Sequence, residues 1–305
     1  MDSHVIIKHA PKLDYRKDFV VLPKNYGSDT YFAREDVSAI KQTVFEALDT
    51  LDSKTGIAKK IATYEKVIIK PNLVNVFHKA GYYDNEGKTD FPETTDPRVF
   101  DAVVSWVEQF NSNIVIAESS GKPLPTSAVY KITGYKRIAK RHKTGLVCLE
   151  REPVTRYLLP KAEVMKEILI PRLFDDIVKG KAFYISVPKM KTNIYTGVTL
   201  SAKNAMGTIP YFLRERNHTH AINKKLADML FLFQPDMVVI DGIVGGEGNA
   251  PAPVDPVDTR TIIVSNNSIE ADRVATRMMG FNPDDIKLIH EIDKRGFADS
   301  DVKID

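Results

Sequence analysis

Cysteine is nearly missing: Cys148 is the single one among 305 residues. One thiol excludes an intrachain disulfide framework, a Cys-ligated iron–sulfur cluster and a Cys₄ zinc site. Cys148 lies in the apolar run Gly145-Leu146-Val147-Cys148-Leu149, where it reads as a small buried hydrophobe rather than a reactive thiol. An excess of charge of one sign is also lacking. There are 43 basic and 40 acidic residues, a net charge of +3, too balanced to argue for nucleic acid or a membrane surface as partner. Apolar runs of the roughly 18 residues that would suggest a transmembrane helix are absent, as is a signal-peptide core at the start. The expected location is therefore the cytoplasm. A P-loop is missing too, and no Gly-x-Gly-x-x-Gly follows directly on a strand.

What remains is ordinary globular material, 43% hydrophobic and 27% charged, long enough for one large α/β domain spanning residues 1–305. Short β-branched runs alternate with amphipathic stretches. The strand candidates are Val5-Ile6-Ile7, Val67-Ile68-Ile69, Ile114-Val115-Ile116-Ala117, Leu146-Val147-Cys148, residues 182–187, Met237-Val238-Val239-Ile240 and Thr261-Ile262-Ile263-Val264. Several are continuously apolar, as strands covered on both faces are. Helices are expected over 36–51, 97–110, 223–233 and 268–279. The second opens on Asp96 as N-cap with Pro97 at its first position, and the last closes on Gly280. The fold class is thus α/β, a largely parallel sheet covered by helices on both faces. Residues 77–93 read as a long loop. Residues 151–176 read as an inserted β-hairpin with a following helix, a small cap.

In open α/β sheets ligands bind beyond the carboxyl ends of the strands. Reading past each strand gives Lys70-Pro71-Asn72, then Glu118-Ser119-Ser120-Gly121, then Pro188-Lys189-Met190-Lys191-Thr192-Asn193, then Asp241-Gly242 followed by Gly245-Gly246-Glu247-Gly248. A structural loop needs the turn residues, but not Lys and Asn again and again. Lys70, Lys189, Lys191 and Lys203, with Asn72, Asn193 and Asn204, make a pocket suited to carboxylate or phosphate; solvated strand ends are the plainer alternative. If residues 196–207 form a helix, its N–H groups near Thr196 and Gly197 add a further anion-binding feature. Glu118, Asp241 and His220 are the acid/base candidates. Asp241 and Glu247 together are a divalent-metal candidate, or they simply pair with the lysines. Asp272, on the last of these helices, reads as a cap or salt-bridge residue.

Five blocks then occur in order: Lys70-Pro71-Asn72-Leu73, residues 187–192, residues 197–207, residues 235–243 and residues 271–280. In these the chain resembles the domain of unknown function family number 362, over about residues 60 to 300. The resemblance implies an α/β domain and only a weak functional label. Many members carry ferredoxin-type Cys motifs, which this chain lacks, so no iron–sulfur cluster is carried over. The family's Glu-Gly-x-Gly-Pro loop stands here as Glu247-Gly248-Asn249-Ala250-Pro251, slightly altered.

The expectation is an enzyme acting on a small anionic metabolite, by isomerase, racemase or lyase chemistry next to a carbonyl or by group transfer with a cosubstrate. A non-catalytic binding or assembly protein is the rival. The cofactor is open, and a homodimer is expected on base rates.

Overall fold

A computed structural model describes residues 2–74, 76, 90–121, 124–218, 220–299 and 301–305, with 215–218 as backbone alone. The loop expected over 77–93 lies mostly outside the described residues. In chain order the strands are β1 (His4–His9), β2 (Lys66–Pro71), β3 (Ile114–Glu118), β4 (Gly145–Cys148), β5 (Val154–Leu158), β6 (Glu167–Pro171), β7 (Ala182–Val187), β8 (Lys189–Asn193), β9 (Gly197–Val198), β10 (Met237–Glu247), β11 (Asp255–Val257), β12 (Thr261–Ser265) and β13 (Lys303–Ile304). The main sheet runs β13-β1-β12-β10-β7-β2-β3-β4, with β8, β9 and β11 attached around β10. From β10 to β4 every pairing is parallel. On the other side β12 runs antiparallel to both β10 and β1.

Each of the seven expected strands forms, and their alternation builds two cores. In β2, Val67 and Ile69 face one core and Ile68 the other; in β12, Ile262 and Val264 oppose Ile263. This is the period of two of an extended chain buried on both sides. One core is covered by the helices Glu35–Thr55 and Pro97–Val107, the other by Ile222–Met229, Ser268–Met278 and Lys287–Asp293. Both faces being apolar, alternation alone cannot fix the register of β2. Its end can: a slip by one residue would pull Lys70 off Glu118 and leave two buried charges unpaired.

The helix ends obey the local chemistry that anticipates them. The Asp96 side chain accepts the Arg98 N–H ahead of Pro97, Asn267 accepts from Ile269 and Glu270, and Gly280 takes the left-handed conformation after Met279. The hairpin β5–β6 also forms, with the short helix Asp175–Val178 after it. Its Ile168 and Ile170 belong to the second core, so it is seated on the sheet's helical layer.

Two local expectations fail. Residues 196–207 do not make one helix. Gly197, at φ 77°, pairs with Asn193 in the short β9, and only Leu200–Asn204 is α-helical before a 3₁₀ turn over Ala205–Thr208. The loop expected after Ile240 is strand instead. β10 continues to Glu247, because Gly242, Gly245 and Gly246 let Met190 and Lys191 of β8 lie close against it.

Candidate functional site

Three buried lysine–carboxylate pairs stand where β2, β3, β8 and β10 meet. Lys70 Nζ lies 2.8 Å from Glu118 Oε2, Lys189 Nζ 2.8 Å from Asp241 Oδ2 and Lys191 Nζ 3.0 Å from Glu93 Oε2. All six residues are essentially inaccessible to water. Desolvation costs several kcal/mol per buried ion, so each persists only because a partner is in place. Burial pushes the Lys70 and Lys191 amines down and the Glu118 carboxyl up, in each case against the pull of the paired charge.

The asparagines tie the end of β2 to β7. Lys70 donates to Asn204 Oδ1 at 2.9 Å, Asn72 Nδ2 donates to the same oxygen at 3.2 Å, and Asn204 Nδ2 donates to Ser186 Oγ at 3.0 Å. Glu118 also accepts the Ser119 and Leu73 N–H groups. Gly207 lies so close above the Lys70–Glu118 pair that a Cβ there would fall 2.3 Å from Glu118 Oε1. Only glycine lets the 3₁₀ turn rest on the ion pair.

Lys203, on the short helix with Asn204, is buried among like charges. Desolvation, then Arg214, Lys191 and Lys70, pull its amine down to about 7. Arg214, half-buried, donates to the carbonyls of Ser119 and Ser120 at 2.5 and 3.2 Å, which brings its guanidinium to the end of β3. The helix bearing Lys203 is held from behind: Asp272 accepts the Ser201 and Ala202 N–H groups, each at 2.8 Å. Asp272 is thus a cap, but of a neighbouring helix rather than its own. The N–H groups expected to face an anion near Thr196 and Gly197 are accordingly not a helix end at all.

The other expected site residues are elsewhere. Asn193 Oδ1 accepts from Tyr195 N and Thr196 N and so braces its own turn. His220 is exposed in the bend after the helix Tyr211–His218. Asp241 is inside β10, while Glu247 is exposed at its end. Asp241 is bonded to Lys189, and the register of β10 against β8 shifts between Asp241 and Gly246, ahead of Glu247. Among the described residues no group of three or more His, Cys, Asp or Glu is placed to hold a metal ion.

Two participants escape a reading of the sequence: Glu93 and Arg214. Glu93 arrives on the buried run Glu93-Thr94-Thr95-Asp96, whose Thr95 N–H donates to Asn72 O and whose Asp96 N–H donates to Asp241 Oδ2. The available signal is four polar residues in a row directly before the Pro97 helix.

The chain belongs to the family described as Domain of unknown function (DUF362), which matches residues 67–277. That span holds every buried pair described above. A more specific likeness is confined to one stretch. Thylakoid-associated protein sll1697 of Synechocystis sp. is 27% identical over 105 residues, 32% of this chain and 33% of that protein. The chain therefore matches about a third of that relative's length. No solved structure matches. Among the described residues no helix is long and apolar enough to cross a membrane.

Proposed function

We propose that the chain is an enzyme acting on a small carboxylate- or phosphate-bearing metabolite, bound where Lys203 and Arg214 face the Lys70–Glu118 pair. The observation that carries this reading is the burial of Lys70, Lys191 and Lys203 near Arg214 at the strand ends, with Glu118 and Glu93 as nearby carboxylates. Cations crowded in low dielectric attract an approaching anion. Lys203 supplies the chemistry. An amine near neutrality exchanges a proton at physiological pH, and the neighbouring cations stabilise charge that develops when a proton leaves carbon beside a carbonyl. Glu118 and Asp241, each committed to a lysine, hold the lysines in place. The reaction class is isomerase, racemase or lyase.

Two measurements test this. Calorimetry of inorganic phosphate and of short dicarboxylates should register anion binding by the wild type that Lys203→Met loses. Binding unchanged in Lys203→Met removes Lys203 from the site. Lys203→Arg keeps the charge but cannot give up a proton. It should therefore retain anion binding and lose exchange of substrate C–H for deuterium. If wild type binds anions but exchanges no proton, the protein is a binder and not an enzyme.

A further inference from the structure

The lysines dictate more than where an anion goes; they orient the neighbouring acceptors. An ammonium group only donates. Lys70 therefore fixes the oxygen of Asn204 toward itself, and this oxygen in turn fixes the Asn72 amide with its nitrogen inward. Asn72 Oδ1 is left as an acceptor with no partner among the described residues. The same logic acts at Glu93. Lys191 takes Oε2, and Oε1 has no partner among the described residues. Both side chains are more than nine-tenths buried. The two are linked through Thr95, whose Oγ1 accepts the Asn72 N–H at 2.9 Å, two residues beyond Glu93. A buried acceptor left empty costs about 1–3 kcal/mol, so two such acceptors on segments joined through Thr95 point to donors that arrive with the ligand. A metal ion or an ammonium group is disfavoured beside Lys70, Lys191 and Lys203. A neutral hydroxyl is not.

Resting on the anion reading above, we propose that the substrate is a hydroxylated anion, a hydroxy acid or a polyol phosphate, and that Asn72 Oδ1 and Glu93 Oε1 accept hydrogen bonds from its hydroxyl groups. Asn72 and Glu93 then set specificity, while Lys203 and Arg214 hold the charge. A site built to receive a hydroxyl rejects the analogue that lacks it far more strongly than an apolar pocket rejects a methylene.

The test is a binding series by calorimetry and thermal shift on the full chain. It uses hydroxy acids of two to five carbons, each with its deoxy and keto counterparts, and glycerol 1-phosphate against propyl phosphate. The hydroxylated member of the matching pair should bind at least about tenfold more tightly than its deoxy and keto partners. Whether the acids or the phosphates show the preference identifies the anionic group. Glu93→Gln sharpens the outcome. Lys191 will hold the new amide oxygen, so a donor replaces the empty acceptor, and the preference should shift toward the keto acid, which can only accept. Asn72→Ser should shrink the preference with anion affinity kept. Equal binding of hydroxy and deoxy members, abolished by Lys203→Met, overturns this inference and leaves the anion site standing. Absence of binding by every compound overturns both.

Discussion

Two buried ion networks lie side by side in this protein, and they differ in one respect. Around Arg98, every guanidinium nitrogen is paired, and the Tyr31 hydroxyl is the one buried group nearby without a partner among the described residues. Arg98 Nε and Nη2 meet Asp96, Nη1 meets Asp36 Oδ2 at 2.6 Å and Lys17 O at 2.8 Å, and Nη2 also reaches Tyr15 O at 2.6 Å. Asp36 continues to Arg34, and Arg34 to Asp18. Around Lys70 and Lys191 the charges are paired just as tightly, yet Asn72 Oδ1, Glu93 Oε1 and the hydroxyls of Thr94 and Ser119 have no partner among the described residues. The closed network pins the N-terminal segment to the helix Pro97–Val107. On the proposed reading, the open one is completed by the hydroxyl groups of the ligand. Saturation, rather than burial or charge, separates scaffold from site.

The comparison is broken most forcefully at Arg98. Arg98→Ala strands the buried Asp96 carboxylate and frees the carbonyls of Tyr15 and Lys17, so urea unfolding should lose about 3–5 kcal/mol, the usual cost of removing one partner of a buried pair. Hydroxy-acid selectivity, measured below the unfolding range, should not change. A loss of that selectivity with stability retained would place Arg98 in the open network and undo the contrast.

Acidity separates the open site from its brace. Lys203, lowered from 10.5 to about 7, binds a proton more weakly folded than unfolded, so its contribution to stability grows as pH rises from about 7 toward 10. Asp272, raised by burial from 3.8 to about 7, does the reverse: its contribution is full below about pH 4 and is lost as pH climbs through 7. Subtracting variant from wild-type Tm profiles isolates each group. Lys203→Met should remove a rise on the alkaline side, and Asp272→Asn a fall on the acid side, each by a few degrees. Identical windows for the two variants would mean that one titration, not two, governs the helix.

Much of this is legible in the sequence, and the limits have physical causes. Strands such as Val67-Ile68-Ile69 announce themselves because burial on two faces demands uninterrupted apolar residues. Lys70, Glu118 and Lys189 can be found because a parallel sheet gathers the residues at its strands' carboxyl ends along one edge. Glu93 and Arg214 cannot, since no periodicity ties a loop or helix residue to a strand end far away in the chain. The consecutive helices Thr126–Thr133 and Tyr135–His142 escape for a different reason: Gly134, at φ 99°, breaks the amphipathic stripe between them. Asp241 and Glu247 look like neighbours because Gly-rich sequence reads as turn. Here, however, the missing side chains make room for β8 and keep β10 extended.

Asn193 gives the smallest and most discriminating test. From sequence it stands with the binding asparagines, since it comes after Lys189 and Lys191 on the same strand. Its side-chain oxygen, however, is spent on the N–H groups of Tyr195 and Thr196 in its own turn, which puts it with the saturated scaffold despite its position. Asn193→Ala should therefore cost only about 1 kcal/mol, the scale of a local side-chain-to-backbone brace, read as a small shift in the urea midpoint at unchanged slope. Affinity for the hydroxylated anion should match wild type, whereas Asn72→Ser, a change of the same residue type in the unsaturated network, should alter selectivity with little effect on the midpoint. If Asn193→Ala weakens anion binding as well, an asparagine with every visible acceptor bond filled still contributes to the site, and saturation fails as the criterion that divides the two networks.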